Sequence, residues 1–168
     1  IGGGIPVAAY GMSSEVAVKV ESLMHGHDLD VSGIGGTLSG SALAGAAIRA
    51  TLTYALRQED FDIAIPLATR WSTGVQAIID QYGLPWTVQQ LGCRAEYWFS
   101  EHPQNGAQAA ASVNDGLESF MHLYALNRGI LLTPFHNMAL ICPDTTKADV
   151  DAHTEAFRKM CKELTSAP

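Results

Sequence analysis

A stretch near the start of the chain, SALAGAAIRATLTYAL, limits what this sequence can fold into. As a helix it is apolar on nearly every side, and it consists largely of Ala and Gly. A helix of this kind is buried, and its small side chains let neighbouring backbones approach closely. We therefore expect a buried helix over Ser39–Leu56, packed tightly against other parts of the protein.

The composition suggests that much of this chain is covered by other protein. Hydrophobic residues make up 47% of the 168 residues and charged residues 16%, whereas about a quarter is usual for charged residues. The rest of a longer polypeptide and a partner subunit are the natural covers. The net charge of −7 argues against nucleic acid as the main partner, because phosphate contacts need a basic patch.

The lack of targeting signals and the cysteine usage favour a cytoplasmic protein without a membrane partner. The chain contains no signal peptide, no basic tract and no apolar run of membrane-spanning length. Its three cysteines, Cys93, Cys142 and Cys161, are widely spaced and odd in number, so they define no disulfide framework and no metal knuckle.

The first half of the chain has the texture of an α/β layer. The apolar run Ile5–Tyr10 predicts a buried strand. Ser13 or Ser14 caps a predicted helix over Glu15–Met24, and a longer helical pattern covers Phe61–Tyr82.

After Pro85 the pattern changes to short strands and amphipathic helices. The segments WTVQQLG, RAEYWFS, ILL and MALIC predict strands, and EHPQNGAQ predicts a loop. Two helices, over Asp115–Asn127 and Lys147–Leu164, should pack on one face of an antiparallel sheet. Asn114 or Asp115 should cap the first of these helices.

The predicted start of the last helix is a capping box. Thr145 or Thr146 supplies the cap and Asp149 the reciprocal acceptor. The fold class is therefore α/β, with the end of a large domain over residues 1–84. An α+β small domain with antiparallel strands follows over residues 85–168.

The strongest local signal for binding is GGTLSG. Gly35 and Gly36 permit unusual backbone angles, and hydroxyls follow at Thr37, Ser39 and Ser41, where a helix begins. A helix N-terminus with free amides and hydroxyls suits an anion such as phosphate. The alternative is an ordinary capped helix after a glycine turn.

The segment MHGHDLD is a second polar cluster, and it has two interpretations. It could be a metal site formed by His25, His27, Asp28 and Asp30, but a polar turn has more support.

Two further residues could touch a ligand but have simpler interpretations. His136, in TPFHN, could move a proton or touch a ligand, although a surface or capping role is favoured. Arg94 could hold a substrate carboxylate, although pairing with Glu96 is favoured.

Ser39 has no evident base nearby, so a serine hydrolase has no support. The aromatic residues Trp86 and Trp98 are interpreted as core or interface anchors.

Two motifs carry a family resemblance over the whole chain. IGGGIPVAAYG followed by GGTLSGSALAGAAIRATL resembles the class III aminotransferase family of pyridoxal-phosphate enzymes, and in particular its aminomutase branch. The closing segment GILLTPFHNMALICPDTTKADVDAHTEAFRKM is similar to the family's last strand, turn and helix. The family's G-N-P is replaced here by Gly40-Ser41-Ala42, a change that removes no phosphate ligand.

The resemblance implies the C-terminal part of the fold-type-I large domain and the small domain, with pyridoxal 5'-phosphate as cofactor and no metal. It implies that Gly36 and Thr37 bind the cofactor phosphate of a neighbouring subunit, in a homodimer with shared active sites. The Schiff-base lysine is expected upstream of Ile1, so no catalytic residue is assigned in this chain. Lys19, on a helix well past the glycines, is interpreted as a surface charge.

The activity that the resemblance implies is that of an aminotransferase or aminomutase. Its substrate would be an amino acid or an amino-aldehyde or keto acid, and residues 1–168 alone should be inactive. One alternative is an amino-acid racemase on the same scaffold. Another is a non-catalytic binding or assembly homologue that has kept the fold.

Overall fold

The computed structural model describes residues 1–24, 39–134 and 136–166, and the chain divides into two compact units. The first unit spans Ile1–Arg57 and the second Gln58–Pro168. The predicted domain division at residues 84 and 85 refers to the whole protein and stays a prediction. Within this chain, the helix that precedes that division groups with the residues that follow it.

The first unit contains two helices and a π-helical turn. Helix α1 spans Ser14–Met24, α2 spans Ala42–Ala50, and the turn covers Thr51–Ala55. Ser13 caps α1 as predicted, because its Oγ accepts a hydrogen bond from the Val16 amide at 3.4 Å.

Two sequence expectations for the first unit are wrong in this chain. The helix predicted over Ser39–Leu56 begins only at Ala42, and neither α2 nor the π-helical turn has a buried residue. Ile5–Tyr10 forms no strand, and Tyr10 is 67% exposed. An all-round apolar helix needs neighbours on every side, and a strand needs a partner backbone. The described residues of this unit supply neither.

The second unit is built on a three-stranded antiparallel sheet, which confirms the predicted pairing. Strand β1 spans Thr87–Leu91, β2 spans Arg94–Trp98 and β3 spans Met138–Leu140, in the spatial order β1-β2-β3. A tight turn joins β1 to β2, and Gly92 lies in it with φ 57°, a conformation that favours glycine. The predicted strand ILL, at residues 130–132, is not a strand, because it pairs with no described strand.

Four helices accompany this sheet. Helix α3 spans Gln58–Gln81, α4 spans Gly106–Ala111, α5 spans Asp115–Leu126 and α6 spans Lys147–Ser166. Helix α3 contacts β1, β2 and α6, while α5 contacts α6. Helix α3 therefore packs directly on the sheet, and α6 reaches the sheet through Phe157, whose ring centroid lies 5.1 Å from that of Tyr97. Packing of α5 on the same face of the sheet stays a prediction. Helix α4 replaces part of the predicted loop.

The predicted helix caps form with regular geometry. Asn114 Oδ1 accepts a hydrogen bond from the Leu117 amide at 3.0 Å, at the start of α5. At the start of α6, Asp149 Oδ2 accepts bonds from the Thr146 amide at 2.8 Å and the Thr146 hydroxyl at 2.7 Å. These hydrogen bonds lower the pKa of Asp149 below its usual value. Local sequence therefore determines where both helices begin.

The core of the second unit is an aromatic cluster around Tyr97 of β2. Its ring centroid lies 6.2 Å from that of Trp71, 6.4 Å from Trp86 and 5.1 Å from Phe157. Trp71 belongs to α3 and Phe157 to α6, so the cluster joins the sheet to both long helices. Aromatic pairs at these distances add to the stabilisation that their buried area provides.

Removing one ring from this cluster should destabilise the protein strongly. Phe157 is fully buried, so Phe157→Ala leaves a cavity and should lower the free energy of unfolding by about 3–5 kcal/mol. Urea unfolding measures this loss. Leu131→Ala is the control, because Leu131 is 81% exposed and its truncation should change stability by less than about 0.5 kcal/mol. Equal losses in the two variants would contradict the assigned core.

Candidate functional site

The predicted phosphate-binding residues, Gly36 and Thr37, lie outside the described residues, as do the four His and Asp residues of MHGHDLD. The description resumes at Ser39, in a turn where Gly40 has φ 75°. Ser41 is the N-cap of α2, and its Oγ accepts a hydrogen bond from the Ala44 amide at 3.5 Å.

The start of α2 has the chemistry that an anion requires. A helix N-terminus carries partial positive charge and amides that lack intrahelical partners. The first turn of α2 contains no acidic side chain, and Arg49 lies in the last turn. The residues that follow GGT therefore fit a phosphate group held at this end of the helix.

A second polar cluster lies on the small sheet. Arg94 and Glu96 are two residues apart on β2, so their side chains point to the same face. Arg94 Nη2 donates a hydrogen bond to Glu96 Oε2 at 2.7 Å, and His136 Nδ1 lies 3.3 Å from Glu96 Oε1. The pairing of Arg94 with Glu96 favoured by the sequence therefore forms.

The register of the sheet explains why His136 joins this cluster. Glu96 is opposite Met138 in the β2–β3 pair, and His136 comes two residues before Met138. Glu96 is 7% exposed, whereas the side chain of Arg94 is half exposed. A carboxylate that is nearly buried needs such partners, because an unpaired buried charge is costly. Arg94 is therefore the charge partner of Glu96, and the structure gives no support to a role for Arg94 in holding a substrate carboxylate.

A small cavity of about 60 Å³ borders this cluster. Its lining residues include Glu96, His136, Asn137 and Glu118. Asn137 Oδ1 is buried and has no hydrogen-bond partner among the residues that the structure describes. The space suits one or two water molecules better than a substrate.

The aromatic residues singled out in the sequence divide between core and periphery. Trp86 and Tyr97 are buried in the aromatic cluster, and Trp98 is half-buried. Burial raises the pKa of Tyr97 far above its ordinary value, so its hydroxyl stays protonated at neutral pH. Tyr97 therefore contributes packing and not proton transfer.

Sequence reasoning missed a buried imidazole on α6. His153 is 5% exposed and stacks near Trp71 and Phe157. Its position three residues after Val150 and four before Phe157 places it on the inner side of the helix. That spacing is the sequence signal that could have identified it.

Metal and membrane sites find no support in the described part of the chain. Residues 1–24, 39–134 and 136–166 contain no group of three or more His, Cys, Asp or Glu side chains that could hold a metal ion. Within the same ranges, no helix has both the length and the apolar character needed to cross a bilayer.

The comparisons with known proteins point to one kind of enzyme. No family model matches the chain. A glutamate-1-semialdehyde 2,1-aminomutase from Desulfitobacterium hafniense is 32% identical over 98% of the chain, and one from Thermomicrobium roseum is 31% identical over 98%. The chain is homologous to the C-terminal portion of glutamate-1-semialdehyde 2,1-aminomutases. It spans about 37% of the length of each of these two relatives.

Solved structures agree with this homology. The crystal structure of a glutamate-1-semialdehyde aminomutase from Pseudomonas aeruginosa matches 92% of the chain with a TM-score of 0.83 and 42% identity, over 35% of its own length. A variant of an aminomutase from the same organism was solved in complex with PMP. An omega-transaminase from Sphaerobacter thermophilus, 24% identical, matches 96% of the chain and 36% of its own length with a TM-score of 0.67, which supports the fold alone. The predicted fold-type-I class is thereby confirmed.

Removing Arg94 should expose the cost of a buried charge. Arg94→Met leaves Glu96 with His136 alone, so the free energy of unfolding should fall by about 1.5–3 kcal/mol. The double variant Arg94→Met/Glu96→Leu should recover much of that loss, because the carboxylate is also removed. Urea unfolding measures both variants.

Arg70→Met is the matched control for this cycle. Arg70 Nε and Nη2 donate hydrogen bonds to Asp151 Oδ1 and Oδ2 at 2.6 and 3.0 Å, and both side chains are nearly half exposed. Removing Arg70 leaves the Asp151 carboxylate in contact with water, so the loss of stability should be much smaller than in Arg94→Met. A loss in Arg70→Met as large as that in Arg94→Met would contradict the importance of burial at Glu96.

Proposed function

We propose that this chain is the C-terminal portion of a pyridoxal-phosphate-dependent aminomutase or aminotransferase. Its substrate would be an amino acid or an amino-aldehyde or keto acid. The observation that carries the proposal is the 42% identity to a solved aminomutase over 92% of the chain. The relatives are aminomutases by name, and moving an amino group is the chemistry that this name describes.

The exposed apolar residues of the first unit support a longer protein. Leu43 is 67% exposed, Leu52 53% and Tyr54 75%, and all three lie in α2 or the π-helical turn that follows it. Exposed apolar side chains grouped in this way are typical of a surface that other protein covers. In the proposed enzyme the remaining part of the large domain and the second subunit of a homodimer cover them.

Gly36 and Thr37 are the proposed cofactor ligands in this chain. They precede a helix N-terminus whose first turn is free of acidic side chains, which favours a phosphate at this point. The Thr37 hydroxyl and amide would donate hydrogen bonds to the phosphate of pyridoxal 5'-phosphate bound in the neighbouring subunit. The cofactor supplies the electron sink for the reaction, and the protein holds and orients it.

The proposed location of the enzyme is the cytoplasm. Cys93, Cys142 and Cys161 are free thiols in this structure, and free thiols are typical of a reducing compartment. Burial raises the pKa of Cys161 to about 12, so this thiol stays protonated and unreactive and contributes to packing.

Replacing Thr37 should weaken cofactor binding in the full-length enzyme. Thr37→Ala removes one or two hydrogen bonds to a charged group, each worth about 1.5–3 kcal/mol, so cofactor affinity should fall about ten- to a hundredfold or more. Thr37→Ser keeps the hydroxyl and is the matched control, with a much smaller expected loss. Titration of the apo-enzyme with pyridoxal 5'-phosphate measures both. An alanine variant that binds as tightly as the parent would refute the assignment.

Residues 1–168 alone should not transfer amino groups. We expect the lysine that binds the cofactor upstream of Ile1, and Lys19 is exposed and paired with Glu15 at 3.0 Å. An amino-donor assay on the isolated chain, beside the full-length protein, tests this. Turnover by the isolated chain, free of the full-length protein, would show that the nucleophile lies within it.

A further inference from the structure

The outer edge of strand β3 has backbone groups that are free to pair. β3 is the last strand in the spatial order, with β2 on one side of it. The Tyr97 amide of β2 donates to the Asn137 carbonyl at 3.1 Å, so the backbone groups of residue 137 face β2. Because this direction alternates along an antiparallel pair, the amides and carbonyls of Met138 and Leu140 point away from β2. Within residues 1–24, 39–134 and 136–166 these outward groups have no hydrogen-bond partner.

A solvent-open groove runs along the same edge. All three residues of β3 line it, and successive side chains of a strand point to opposite faces, so the groove follows the edge of β3 and not one of its faces. Residues 130–133, Trp71 and Val150 also line it. Leu131 is 81% exposed and Leu140 62%. An open backbone edge beside exposed apolar side chains is the kind of surface to which another extended segment adds.

The homology and the length of β3 indicate where such a segment comes from. The chain matches the C-terminal portion of its relatives, over about 37% of their length, so most of the proposed enzyme would precede Ile1. β3 has only three residues, so an added strand gains few hydrogen bonds. A segment of the same polypeptide can form these few bonds because its effective concentration at the edge is high, whereas a separate molecule bears the full cost of association.

We propose that the outer edge of β3 pairs with an extended segment from the part of the full-length polypeptide that precedes this chain. The proposal rests on the proposed function, because it takes the chain to be the C-terminal portion of a longer enzyme. The segment bonds the outward amides and carbonyls of Met138 and Leu140 and becomes the fourth strand of the small sheet. The side chains that it directs into the groove are apolar, since Trp71 and Val150 line the groove.

Hydrogen–deuterium exchange of the full-length protein, resolved at single amides, tests this pairing. The Leu140 amide should exchange about a hundred times more slowly than an unprotected amide. Gln90, at the opposite edge of the sheet, is the matched control. The Val88 amide points away from β2 to Gln76 Oε1, and the Gln90 amide, two residues further on, shares its direction and has no partner in the described part of the chain. Rapid exchange at Leu140, as at Gln90, would overturn the proposal.

A pair of variants separates the outward amide from the side chain of Leu140. Leu140→Ala and Leu140→Pro both truncate the side chain, but only proline removes the amide, a change that an unpaired edge tolerates. In the full-length protein, the Met138 amide should exchange about tenfold faster in Leu140→Pro than in Leu140→Ala, because one bond to the added strand is lost. Equal rates in the two variants would contradict the pairing. If Leu140→Pro fails to fold, exchange in the parent protein decides.

Two further measurements identify the occupant and keep the proposed function separate. If Leu140 loses its protection on dilution while α3 stays protected, a second copy occupies the edge and the assignment to the same polypeptide is wrong. Titration of the same protein with pyridoxal 5'-phosphate tests the function. A protein that protects Leu140 but binds no cofactor would support the pairing and refute the proposed function, whereas cofactor binding with rapid exchange at Leu140 would refute the pairing alone.

Discussion

The buried ring of Tyr97 is the contact on which the second unit depends. Tyr97 lies on the central strand β2. Its ring contacts Trp71 of α3, Phe157 of α6, and Trp86, which comes just before β1. Because side chains alternate along a strand, burying Tyr97 on one face places Glu96 and Trp98 on the other. The same contact that closes the core therefore directs Glu96 toward Arg94 and His136, and a one-residue slip of β2 would reverse both faces.

The two units of the chain differ in how their apolar residues are used. In the second unit, α3 buries six residues and α6 buries six, so each helix is held by its own inner face. In the first unit, α1, α2 and the π-helical turn bury none. The relatives that the chain matches are nearly three times as long. We propose that other protein of the full-length enzyme covers the first unit, which would account for this difference.

The sequence predicted best those features that depend on neighbouring residues. The caps at Asn114 and at Thr146 with Asp149 follow from side chains within one helical turn. The strands β1 and β2 follow from alternation across a tight turn. These signals involve only residues close in sequence, so they do not depend on contacts with the rest of the fold.

The expectations that failed depended on partners elsewhere. Ile5–Tyr10 and residues 130–132 are apolar enough for strands, but neither pairs with a described strand. The exposure of α2 likewise depends on which other parts of the protein lie beside it. At the candidate site, the order of the glycines and hydroxyls in GGTLSG suggested an anion, whereas the cluster at Glu96 required the β2–β3 register.

A crystal structure of the full-length protein with pyridoxal 5'-phosphate tests the central claim most directly. We predict that the phosphate of a cofactor bound in one subunit lies within hydrogen-bonding distance of Thr37 of the other, before the start of α2. A cofactor phosphate held by other residues, with Thr37 remote from any subunit interface, would contradict it.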